Sequence, residues 1–244
     1  MNPVPGPEAA LAEIVTALRE SGDAVVSSLE PMPSPSGIDV DALAPRCALC
    51  RLADRSAERS LRAFFSEFVN DPEVRIRFRK SRGFCRQHTP LLARCGDALG
   101  VAILYADLAD ETRRRWRSNG CGQAGSPFSR WLHPNKVTAC PACGAEEDAE
   151  ARYSAALASG LARDPGLWEI IQASSGLCAR HVEKIAIAAR PRDAARLLEI
   201  ECARMDGLFS ELEEFVRKND YRFRTEPWGA ERDAWRRALL RLRR

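Results

Sequence analysis

Four residues of this chain recur as a set. Cys47, Cys50, Cys85 and His88 fall, at an offset of 93, on Cys140, Cys143, Cys178 and His181 without a gap. In each copy a Cys-x-x-Cys pair is followed, after 34 intervening residues, by a Cys-x-x-His pair set in "GFCRQH" (83–88) or "GLCARH" (176–181). Asp71-Pro72 likewise recurs as Asp164-Pro165. A repeat of this kind constrains a fold strongly, because each copy has to be one supersecondary unit. The 244 residues therefore divide into an acidic N-terminal arm and linker (1–46), a first unit (47–118), a linker (119–139), a second unit (140–218) and a tail (219–244).

Each unit reads as helices. Leu61, Phe64, Phe65 and Phe68 recur at helical spacing. Asp-Pro opens a short helix, since the carboxylate caps free N–H groups and proline suits the first helical position. Gly83 and Gly176 end it, where a left-handed residue is wanted. A third helix is expected from Cys85 or Cys178. A fourth carries Val101, Leu104, Tyr105 and Leu108 in the first unit. In the second it carries Leu198, Cys202, Met205, Phe209, Leu212 and Val216, a stripe of packing type. Ahead of the units, one helix over 7–29 and the breaker-rich "PMPSPSG" (31–37) read as a loosely attached arm. Little alternates with period two. The expected class is all-α: two tandem helical units, each pinned by its own Cys3His metal site, plus a basic C-terminal helix.

The chemistry follows from ligand type and spacing. Two sulfurs in one tight turn reach a single ion, and Cys85 and His88, three apart, share a helical face. Within each unit the expectation is that Cys47 and Cys50 meet Cys85 and His88, and that Cys140 and Cys143 meet Cys178 and His181. A Cys3His set is a structural zinc set. Two zinc ions per chain are favoured over iron–sulfur clusters, whose histidine-bearing forms use two histidines. Four protein ligands leave no position for a reactive water, so the sites read as pins. No secretory signal opens the chain and no run reaches the roughly 18 apolar residues of a membrane helix, which predicts a cytosolic protein. Nine cysteines in a reducing compartment then point to metal rather than disulfides.

Charge narrows the partners. Residues 1–46 hold seven acids and two bases; the remainder holds 35 bases and 27 acids. A mildly basic body is compatible with nucleic acid, though less basic than many such domains. The candidate contacts are Arg75, Arg77, Arg79, Lys80 and Arg82, within "RIRFRKSRGFCR" (75–86), together with the C-terminal helix. Cys95, Cys121 and Cys202 have no repeat partner. Cys95 and Cys202 are expected in the core, and Cys121 lies in the linker with His133. No catalytic constellation and no phosphate-binding glycine loop is evident, so an enzyme is disfavoured. The reading is a zinc-binding, non-catalytic cytosolic binding or scaffold protein with a protein partner and no membrane. Nucleic-acid binding and a zinc–thiolate redox sensor are the alternatives.

These motifs resemble an uncharacterised bacterial family, catalogued as a domain of unknown function. It has a duplicated CxxC…GFCxxH unit and a "DYR…EPWG" tail, here Asp220, Tyr221, Arg222, Glu226, Pro227, Trp228 and Gly229. The resemblance covers about residues 45–240 and implies no activity. Arg222, Glu226 and Trp228 are added as candidate binding residues, since polar groups in a turn fix a loop or a partner.

Overall fold

The computed structural model describes residues 5–23, 47–67, 71–95, 97–118, 139–223 and 225–242, without the side chains of 93–95 and 115. Among them every regular element is helical: α1 (Pro7–Asp23), α2 (Ala48–Glu67), α3 (Pro72–Lys80), α4 (Thr89–Cys95), α5 (Ala98–Ser118), α6 (Pro141–Leu161), α7 (Gly166–Ala173), α8 (Ala179–Ala188), α9 (Pro191–Lys218) and α10 (Ala234–Arg241). Short 3-10 turns at Tyr221–Phe223 and Ala230–Asp233 join the last two helices. The all-α class is as the periodicity predicts.

The chain forms two compact units. Of the described residues, those within Ala53–Ala149 form one; those before Ala53 and those from Glu150 onward form the other. These boundaries fall inside α2 and α6, not at the ends of the sequence repeats, and they govern the metal sites described below.

The first compact unit packs around aromatic rings. Phe65, Phe78 and Phe84 are buried with Leu61, Leu92 and Leu104. Phe64 meets Phe65 and Phe84 edge-on at 5.6 Å, and Phe78 meets Tyr105 at 5.6 Å. Asp71 opens α3 by accepting from the Glu73 and Val74 amides. At its other end Arg82 donates to Arg79 O and Gly83 to Phe78 O. That is a Schellman closure with Arg82 as its left-handed residue, at φ 57°, followed by Gly83 at φ 91°. The left-handed step thus begins one residue earlier than the glycine indicates.

In the second unit α1 is a core element. Ala10, Ile14 and Leu18 are fully buried, and α1 packs on α7. Gly160 on α6 admits it closely: a Cβ there would stand 2.8 Å from Leu11 Cδ1. Tyr153 donates to Glu13, and Arg51 pairs with Glu20. The expectation of a loosely attached arm fails for 7–23, because its apolar face is one wall of the core; the linker expected over 31–37 lies outside the described residues. A second expectation also fails. Cys202 is exposed, and the residues of α9 that are buried are Asp193, Leu197, Glu201 and Leu208. The packed face is turned one residue from the apolar stripe, because α8 and α10 cover that side. The side chain of Cys95, and Cys121 with His133, lie outside the described residues.

Candidate metal centres

The ligand pairs sit at helix starts. Cys47 and Cys140 immediately precede α2 and α6, so Cys50 and Cys143 occupy the first turns. Cys47 O accepts from Arg51 N–H and Cys140 O from Gly144 N–H. Cys178 is the N-cap of α8, and its carbonyl accepts from the His181 and Val182 amides. Cys85 O accepts from His88 and Thr89 in the same way. At Cys178, the N-cap itself, the partial positive charge of the helix N-terminus favours thiolate.

The pairs meet crosswise. Cys47 and Cys50 converge on Cys178 and His181, whereas Cys140 and Cys143 converge on Cys85 and His88. The expectation that each sequence repeat closes its own site is therefore corrected: the first Cys-x-x-Cys belongs to the compact unit that holds the second Cys-x-x-His. All eight predicted residues are in the two groups, and within each group the ligand atoms lie within 4.8 Å of one another.

The geometry can be compared with an ion. Bonds of about 2.3 Å to sulfur and about 2.0–2.1 Å to nitrogen, at tetrahedral angles, place sulfurs about 3.8 Å apart and sulfur about 3.6 Å from nitrogen. In the first group Cys50 Sγ lies 3.7 Å from Cys178 Sγ. His181 Nδ1 lies 3.6, 3.4 and 3.1 Å from Cys47, Cys50 and Cys178. In the second, Cys85 Sγ lies 3.6 Å from Cys143 Sγ. His88 Nδ1 lies 3.2, 3.8 and 3.4 Å from Cys85, Cys140 and Cys143. These distances, 3.1–3.8 Å, are near such edges, so each cluster could hold a metal ion, with Nδ1 as the ring nitrogen that faces the sulfurs.

The other ring nitrogen faces a carboxylate in both centres. His88 Nε2 is 3.2 Å from Glu146 Oε2. His181 Nε2 is 3.6 Å from Glu150 Oε1, just too long for a hydrogen bond, and has no other partner among the described residues. A carboxylate there orients the ring and raises its basicity, the usual outer shell of a metal-bound histidine. Glu150 is buried and also receives Arg180 (2.6 Å) and Lys184. Both carboxylates come from α6; the positions 93 earlier are Ala53 and Ala57, so the repeat could not reveal them.

Electrostatics within the clusters are those of shared protons. Hydrogen bonds to Cys140 and Glu146 raise the His88 imidazole to about 10. Burial opposes charge on His181, but hydrogen bonds to Cys178 and Cys47 outweigh it, again to about 10. Burial likewise opposes ionisation of Cys140, yet His88 and nearby backbone amides bring it down to about 6. Burial and the neighbouring Cys85 push Cys143 up to about 12. Hydrogen bonds from Cys47 and Cys50 hold Cys178 low; the same contacts, to Cys178 and Cys47, hold Cys50 high. A divalent cation would replace these protons.

A repeated serine supports each Cys-x-x-His turn. Ser81 and Ser174, 93 apart, are buried and donate to Phe78 O (2.9 Å) and Ile171 O (2.7 Å). The offset of 93 that aligns the cysteines aligns these serines too, a signal outside the Cys/His motif. In the second unit a clamp is added. Glu201 accepts from Leu177 N–H (3.3 Å), Arg204 (2.6 Å) and Arg241 (3.0 Å), and Arg241 also donates to Ser175 O (2.6 Å). The C-terminal helix thereby holds the loop that carries Cys178.

The remaining candidates are dispersed. Arg75 and Arg79 pair with Asp107, and Arg79 also with Glu111. Arg77, Lys80 and Arg82 are exposed and have no ion pair among the described residues. Arg222 pairs with Asp220, and Glu226 with Arg217. Trp228 packs on Phe215 at 5.3 Å. Arg237 and Arg241 of the C-terminal helix are spent on Glu211 and Glu201. Among the described residues no helix is long and apolar enough to cross a membrane.

Fold and centres together define an all-α protein with two Cys3His clusters that could each hold a metal ion. The chain belongs to a family of unknown function (DUF6062), whose pattern matches residues 39–244. An uncharacterized 23.9 kDa protein in the xynA 3' region of Caldicellulosiruptor sp. is 29% identical over 181 residues, covering 72% of this chain and 84% of that one. No solved structure matches.

Proposed function

We propose that each cluster binds one zinc ion as a structural pin, and that the protein is a non-catalytic cytosolic binding or scaffold module. The agreement of both sets of sulfur–sulfur and sulfur–nitrogen distances with the edges of a zinc tetrahedron carries this reading. All eight residues, Cys47, Cys50, Cys178 and His181 with Cys85, His88, Cys140 and Cys143, serve as ligands. Four protein ligands per ion leave no site for a water nucleophile, and each ion contributes on the order of 10 kcal/mol to holding its unit together.

Metal analysis of protein purified without added metal is expected to find two zinc ions per chain. A metal-free, folded chain would overturn the reading. Paired deletions test the crossing. The variant Cys47→Ser, Cys50→Ser, Cys178→Ser, His181→Ala retains one ion if the sites are crossed. The variant Cys47→Ser, Cys50→Ser, Cys85→Ser, His88→Ala retains none. Pairing within each repeat demands the reverse. A nucleic-acid ligand is the second reading, supported by the unpaired Arg77, Lys80 and Arg82; it requires affinity that falls steeply with salt.

A further inference from the structure

Helix α9 presents an apolar stripe to solvent. Leu198, Cys202, Met205, Phe209, Leu212 and Val216 follow one another at alternating steps of four and three, the spacing of a coiled-coil seam. Leu198, Phe209 and Val216 are 42, 60 and 71% exposed. Cys202 is exposed, and Met205 and Leu212 are half-buried. At about 1.5 Å per residue the stripe runs about 27 Å. The fold has packed the adjacent face instead, through Leu197, Glu201 and Leu208.

The acids of α9 sort by the same geometry. Asp193, Glu201, Glu211 and Glu214 each pair with an arginine. Glu199, Asp206 and Glu213 are exposed and have no ion pair among the described residues. These three stand seven residues apart, each directly following a stripe residue (Leu198, Met205, Leu212). They form one acidic column along the solvent side of the seam. The paired carboxylates are buried or half-buried, whereas the three of the column are exposed.

We infer that this face docks a basic amphipathic helix of a partner protein. The partner's apolar residues, at i, i+3/i+4 and i+7, lie on the stripe, and its lysines or arginines meet Glu199, Asp206 and Glu213. Phe209, near the middle of the stripe and its one aromatic residue, is the anchor. A second copy fits poorly: two such helices laid antiparallel bring the acidic column against itself. Nucleic acid and anionic lipid are repelled by the same column. The inference supplies a partner class for the binding role proposed above. It uses no metal ligand, so a failed metal analysis would leave it standing.

The test titrates the full-length protein with labelled synthetic helical peptides of about three heptads. The first has leucine at the seam positions and lysine on both flanks. The second has glutamate on the flanks, and the third keeps lysine but has serine at the seam. Only the first is expected to bind. Its affinity is expected to fall about tenfold or more with Phe209→Ser, and by a similar factor with the triple change Glu199→Gln, Asp206→Asn, Glu213→Gln. Unchanged circular dichroism would certify that these surface variants are folded. The inference is overturned if the leucine–lysine peptide does not bind, if either control binds as well, or if Phe209→Ser changes nothing. It is equally overturned if light scattering finds a dimer that Phe209→Ser dissolves, since a second copy would then be the occupant.

Discussion

Gly83 and Gly176 stand two residues before their ligand cysteines, at φ 91° and 87°. L side chains disfavour that region, so alanine at either costs about 1–3 kcal/mol in backbone strain. The sites differ in what a Cβ meets. At Gly83 it would be 3.1 Å from Leu108 Cδ2; at Gly176 it would collide with Arg241 Nη2 and stand 3.0 Å from Arg204 Nη1. Those guanidiniums can move only by leaving Glu201 and Ser175 O. Thermal unfolding should show a larger drop in Tm for Gly176→Ala than for Gly83→Ala. Equal drops would mean that the arginine clamp holds nothing. Glu231 offers a pH test. It accepts from Gly229 N–H and Lys218, which bring its carboxyl down to about 2. A depressed carboxyl contributes stability that is complete above its unfolded value, near 4.3, and is lost as pH falls towards 2. Glu231→Gln should lower stability at neutral pH by about 1–3 kcal/mol. The difference from the parent should vanish between about pH 4 and pH 2, as read from denaturant titrations at each pH.

Among the elements, α1 and α9 separate pattern from outcome. Helical periodicity identified both. It could not say whether α1 docks, because an amphipathic helix has the same pattern on its own core, on a partner or in solution. Ile14 and Leu18 are fully buried, so Leu18→Ala should cost about 2–5 kcal/mol. Calorimetry finding less than about 1 kcal/mol would place α1 outside the cooperative core. On α9 the apolar residues marked the wrong face. Leu197 and Leu208 are buried alongside Glu201, a residue that reads as surface until Arg204, Arg241 and the Leu177 amide surround it. A buried carboxylate matched by two guanidiniums leaves no trace in hydropathy. By contrast, the helix starts at Asp71 and Cys178 and the turn at Gly83 were legible, because caps and left-handed turns are set within a few residues.

For the whole molecule, the crossing of the sites has a direct consequence. A fragment ending at Ser118 contains Cys47, Cys50, Cys85 and His88, a full ligand set by sequence, yet these residues belong to two different centres. Such a fragment is expected to bind zinc weakly and to show little helix by circular dichroism. Mixing it with a fragment from 139 onward should restore tight zinc binding and helicity, because each supplies the half-sites the other lacks. A first fragment that folds with one tightly held ion would refute the crossing. Chain order alone specified the residues that bear sulfur and imidazole, their spacing within a turn and the helices they open, since these are contacts between near neighbours along the backbone. It left open which Cys-x-x-Cys meets which Cys-x-x-His, and which face of α9 turns inward. The half-sites are chemically equivalent, so only packing of distant helices around two separate cores could choose between them.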